Sequence, residues 1–82
     1  MKWIQTTYVN GELKYEPREL SADDMVRRFA QIIFLKQSGD DIELHVKEHD
    51  DMYEVTQYEA IRKMKDRTVV HIYERKGDEN AE

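Results

Sequence analysis

The stretch SADDMVRRFAQIIFLKQSG, Ser21 to Gly39, decides the reading of this chain, because no other segment is long and periodic enough to form the spine of a core. It predicts a helix. Ser21 followed three residues later by Asp24 has the capping-box spacing, in which each side chain reaches an orphan amide of the first turn. Leu20 and Met25 stand where a hydrophobic staple joins, and Asp23 and Asp24 place negative charge at the positive end of the helix dipole. Gly39 can take the left-handed conformation that ends such a helix. At about 1.5 Å per residue the helix runs roughly 25 Å. Spaced at helical intervals, Ala22, Met25, Val26, Phe29, Ala30, Ile32 and Ile33 gather on one side, a broad apolar stripe of the kind a sheet covers. Phe34 and Leu35 fall outside that stripe, among polar residues, and need a second surface: a returning segment of the same chain, a partner, or a second copy.

Towards the N-terminus, residues 3 to 15 read as a β-hairpin around Asn10-Gly11, the strongest short signal for a two-residue type I′ turn. The turn sets the register: Val9 faces Glu12, Tyr8 faces Leu13, Thr7 faces Lys14 and Thr6 faces Tyr15. Ile4, Thr6, Tyr8, Leu13 and Tyr15 then share one side, expected to meet the helix. Trp3 shares the opposite side with Gln5, Thr7 and Lys14, which makes the single tryptophan a candidate for exposure. Pro17 lacks the amide a ladder needs and ends the second strand.

Beyond Gly39, Ile42 to Lys47 alternates apolar and polar with period two, the mark of a half-buried strand. A turn at Asp50-Asp51 would set Val46 against Val55 and Lys47 against Glu54, apolar on apolar and opposite charges together. Thr56 with Glu59 repeats the capping-box spacing and predicts a short second helix with Ala60, Ile61 and Met64 inward. Thr68 to Arg75, rich in β-branched and aromatic residues, reads as a closing strand with Val70 and Ile72 inward. The expected fold is α+β: a mainly antiparallel five-stranded sheet, order ββαββαβ, with two helices packed on one face.

With 82 residues, the chain makes one small domain, expected over residues 1–76, with residues 77–82 as a disordered acidic tail. The formal charge of −5 is partly that tail; without its three acids the balance is 13 basic against 15 acidic groups. Charges of both signs intersperse along the body, which argues against a large polybasic footprint. Without cysteine there is no disulfide framework, thiolate metal site or thiol nucleophile. Met-Lys-Trp-Ile opens no apolar run and no stretch approaches a membrane span, so the expected location is cytoplasmic, with no membrane partner.

His45-Val46-Lys47-Glu48-His49 matches H-x-x-E-H, which on a helix would bring two imidazoles together as zinc ligands. On the strand its alternation predicts, residues four apart lie about 13 Å from each other, too far to share an ion. Ser21 is a cap, Ser38 adjoins the helix stop, and the glycines at 11, 39 and 77 serve a turn, a cap and the tail, so no nucleophile elbow or phosphate cradle is present. The expectation is therefore not an enzyme and without a cofactor: a small protein-interaction or regulatory protein, bound to a protein partner or to itself as a homodimer through exposed apolar residues or an open sheet edge. Its contact residues are expected to be Trp3, Phe34 and Leu35. The alternative is a single-stranded nucleic-acid module, in which His45, Lys47, His71, Tyr73 and Arg75 form a basic and aromatic patch on the solvent side of the sheet.

Overall fold

In the computed structural model, which describes residues 2–76, the helix forms where its caps place it: α1 spans Ala22–Gln37. Both halves of the capping box are present, Asp24 N–H donating to Ser21 Oγ and Ser21 N–H to the Asp24 carboxylate, each at 3.1 Å. Those bonds hold the Asp24 carboxyl below its ordinary value. At the other end Ser38 N–H and Asp40 N–H both donate to Leu35 O, and Gly39 takes φ +97, where a side chain would be strained. The expected tail, residues 77–82, lies outside the described residues.

The described residues add six strands to the helix: β1 Lys2–Val9, β2 Glu12–Leu13, β3 Arg18–Ser21, β4 Asp41–His49, β5 Val55–Lys63 and β6 Thr68–Lys76. They form one antiparallel sheet in the order β2-β1-β6-β5-β4, with β3 on the same side of β1 as β2. Asn10 (φ 52) and Gly11 (φ 85) both occupy the left-handed region, and the first hairpin has the register their turn dictates, Tyr8 to Leu13 and Val9 to Glu12. Asn10 also ties the turn to β6, accepting from Thr68 N–H and donating its own N–H to Thr68 O, each at 2.9 Å.

Three expectations fail at the strands. The second strand ends at Leu13, well before Pro17, so the expected Thr6–Tyr15 pair does not form, and beyond Pro17 the chain rejoins the ladder as β3, with Leu20 opposite Trp3. The expected second helix is instead the strand β5, so the described residues form a single helix and six strands. Val55, Thr56, Tyr58 and Ile61 are β-branched or aromatic, and the segment is hydrogen-bonded on both sides, to β4 and β6. The β4–β5 connection is also longer than Asp50-Asp51. Asp50 N–H donates to Glu54 O, Tyr53 sits at φ 63, and Val46 consequently pairs with Tyr58 rather than Val55.

The core lies between α1 and one face of the sheet, built from Trp3, Leu20, Met25, Ile32, Ile42, Ala60 and Tyr73, with Phe29, Leu35, Leu44 and Tyr58 against it. Phe29 points edge-on into Tyr58 (centroids 4.6 Å apart) and Tyr73 (6.1 Å), and Trp3 lies 5.7 Å from Tyr58. The helix stripe is therefore narrower than its apolar arc. Leu35, expected outside, packs inward, whereas Ala22, Val26, Ala30 and Ile33, expected inside, are exposed.

Candidate functional site

The alternation along β1 and β6 is as expected, but the side that meets the helix is the opposite one. Trp3, Gln5 and Thr7 are buried beneath α1, and their partners Arg75, Tyr73 and His71 share that side. The cause is β3: Ser21 caps the helix directly after Leu20, and Leu20 is opposite Trp3, so α1 must fall on the Trp3 side. Ile4, Thr6, Tyr8, Val70 and Ile72 consequently face away from it.

On that open face the registers join Leu13 to Tyr8, Tyr8 to Val70, and Val70 to Ile61, a row of apolar side chains across four strands. Ile72 pairs with Thr6 in the next row and Ile4 lies one row further. No described element of the chain covers them. Around this centre some charges are paired within the chain, Lys2 with Glu19 at 3.2 Å, Lys47 with Glu59 at 3.8 Å, and His45 with Glu43 at 2.8 Å, while Lys63, Glu74 and Lys76 share the face without an ion pair among the described residues. The hydrogen bond from His45 and its charge hold the Glu43 carboxyl below its ordinary value. An apolar patch inside a rim of mixed-sign charges suits contact with another surface of the same kind.

Of the residues singled out as contacts, Phe34 is exposed at 66%, beside Val26 and Ile33 on the outer flank of α1. Trp3 is a correction: at 8% exposure it belongs to the core, as Leu35 does in part. The basic and aromatic patch does not form. β5 separates β4 from β6, so His45 and Lys47 are not beside His71, Tyr73 and Arg75. Tyr73 is 2% exposed, and Arg75 is held by Asp50 at 2.9 Å and Glu54 at 3.3 Å. Arg75 fastens the β4–β5 turn to β6. Its hydrogen bond, with those from Glu54 and Met52 N–H, holds the Asp50 carboxyl below its usual range.

Sequence reasoning missed a polar floor on the helix side of the sheet. Gln5 Nε2 donates to Thr7 Oγ1 at 3.3 Å, and Thr7 Oγ1 lies 2.9 Å from His71 Nδ1. Burial, helped by the charge of Arg28, pushes the His71 pKa down, so the imidazole is neutral at pH 7. The signal was present in the alternation of polar residues 5 and 7, but those positions read as solvent-facing. Among the described residues no helix is long and apolar enough to cross a membrane. No protein-family model, curated protein or solved structure matches the chain.

Proposed function

We propose that this protein is a small non-catalytic interaction or regulatory module that self-associates through the open face of its sheet. The observation that carries the reading is the row Leu13–Tyr8–Val70–Ile61, flanked by Ile72 and Ile4. An antiparallel sheet with one solvated face carries mainly polar residues on that face; here Thr6, Glu43, Glu59 and Glu74 share it with a continuous aliphatic and aromatic row. The occupant is a second copy, because the rim carries both signs, Lys63 and Lys76 against Glu74 beside the Lys2–Glu19 and Lys47–Glu59 pairs, which suits a two-fold self-complementary contact better than a polyanion or polycation. The flank of α1 at Val26, Ile33 and Phe34 is the competing surface, curved and narrower than the sheet.

Sedimentation of the full chain over a concentration series tests the reading. A mass rising to twice that of the chain, reduced to the monomer by Val70→Lys and unchanged by Phe34→Arg, supports it. A chain monomeric throughout, or a dimer lost with Phe34→Arg alone, overturns it.

A further inference from the structure

The two edges of the sheet are built differently. One is blunt: β2 and β3, two and four residues long, share the outer side of β1 and are separated by a segment containing Pro17. The other is β4, nine residues long, paired with β5 on one side and with no strand on its outer side among the described residues. The backbone N–H and C=O groups along that outer side are a template for a further strand. From Asp41 to Val46 the register with β5 is regular, and it shifts only at Lys47. Ile42, Leu44 and Val46 point to the helix side, Ile42 buried and Val46 56% exposed. Asp41, Glu43 and His45 point to the open side, where Lys47 joins them by reaching Glu59.

We infer that β4 pairs antiparallel with β4 of a second copy, about a two-fold axis through Leu44. In that register Leu44 faces the second copy's Leu44 and Ile42 faces its Val46, all on the helix side. On the other side Glu43 faces the second copy's His45, and Asp41 faces its Lys47. Each apolar residue meets an apolar one and each acid meets a base. Other registers do not match. Centring on Glu43 sets that carboxylate against itself, centring on His45 sets Ile42 against Glu48, and a slip of one residue puts Leu44 opposite His45. Asp41 forms no ion pair among the described residues and Lys47 only the one at 3.8 Å, so both have charge to share. The axis stands perpendicular to the sheet, so the two helices lie on one side and the two open faces join on the other. This contact goes beyond the open-face association and does not rest on it. It is the weaker of the two, because only Leu44 and Val46 gain burial and exposed ion pairs contribute little. A dissociation constant of about 0.1–1 mM follows.

The test uses the full chain carrying Val70→Lys, which takes the open face out of association. Translational diffusion and amide spectra followed from about 0.05 to 2 mM should show the mass rising towards twice that of the chain, with concentration-dependent shifts along residues 41–46. Asp41→Lys or Lys47→Glu, each added alone, sets like charges opposite each other twice in the pair and should weaken association about tenfold. An equimolar mixture of those two variants restores opposite charges at both places and should associate as well as their Val70→Lys parent. Both positions are exposed, and the urea midpoint of each variant checks its fold. Absence of any concentration dependence up to about 2 mM overturns the inference. So does a mixture that associates no better than its two components, or shifts confined to α1. None of these outcomes touches the open face, which is decided by comparing the unmodified chain with Val70→Lys at lower concentration.

Discussion

Val70→Lys is the most direct probe of the open face, because Val70 stands at the middle of its row, with Tyr8 on one neighbouring strand and Ile61 on the other. A two-fold interface contains the substitution twice. Val70 is already half-buried by its neighbours, so its further burial in the interface is worth about 0.8 kcal/mol, and two copies about 1.5 kcal/mol before any lysine is desolvated. At about 1.4 kcal/mol per decade the dimer dissociation constant rises by about tenfold from lost burial alone, and further from the two buried ammonium groups. The folded monomer should hardly notice, since Val70 meets no element from the helix side and lysine on a solvated strand costs less than about 1 kcal/mol in propensity. Sedimentation equilibrium gives the association constant, and far-UV circular dichroism with urea unfolding of the diluted protein checks the fold. The reasoning fails if Val70→Lys associates as tightly as the parent while remaining folded. It also fails if loss of association comes only with loss of the fold.

Asn10→Ala should lower stability by about 1–2 kcal/mol, since it strains a left-handed residue and removes the bond to Thr68 N–H; Asn10→Gly should lower it by less, and urea midpoints compare the two. Ser21→Ala removes the cap of the only described helix and should cost about 1 kcal/mol in the same assay, with Ser21→Asp near neutral. Burial holds the folded-state pKa of His71 below its ordinary 6.5, so the unfolded chain takes up a proton first as the pH drops. Stability is thus full above that value and declines as pH falls through it, and His71→Gln should flatten the slope of urea midpoints between about pH 7.5 and 5.5. The Asp50 carboxyl is also held low, so its contribution is present above its ordinary 3.8 and lost as pH falls through the lower folded value. Arg75→Met should weaken that acid dependence and speed amide exchange at Met52 and Glu54, whose N–H groups bond Asp50.

What was legible in the sequence was local. The Ser21–Asp24 box and the Asn10-Gly11 turn each act within a few residues, and both appear in the structure with the expected partners. Thr56 and Glu59 have the same spacing as the first box yet lie in β5, because spacing supplies a cap only to a segment that gains by being helical. This one gains more by joining β4 to β6. Strand parity was legible as well: Ile4, Thr6 and Tyr8 share a face, as do Trp3, Gln5 and Thr7. Which face the helix covers was not, since it depends on a strand hidden behind Pro17 and on Leu20 meeting Trp3 from seventeen residues away in the sequence. For the contact residues the same division holds. Phe34 is exposed because helix geometry alone sends it away from Met25 and Ile32, whereas the fates of Trp3 and Leu35 were set by long-range pairing.

That inversion bears on how tightly two copies would hold in the proposed self-association. Ile4, Ile61, Val70 and Ile72 are already half-buried by their neighbours on the sheet, so covering each one completes its burial rather than beginning it. About 1 kcal/mol for each of six side chains, counted on both copies, comes to roughly a dozen kcal/mol in favour of association. The loss of rigid-body freedom and the ordering of the rim oppose it with a cost of about the same size, about 4–15 kcal/mol. The difference is small, which argues for a dimer that exchanges with a folded monomer rather than an obligate one. The core supports this: Trp3, Leu20, Met25, Ile32 and Tyr73 are enclosed entirely on the helix side and owe nothing to the open face. A single threonine at Ile61 should therefore move the monomer–dimer midpoint along the concentration axis and leave the urea midpoint of the dilute monomer in place.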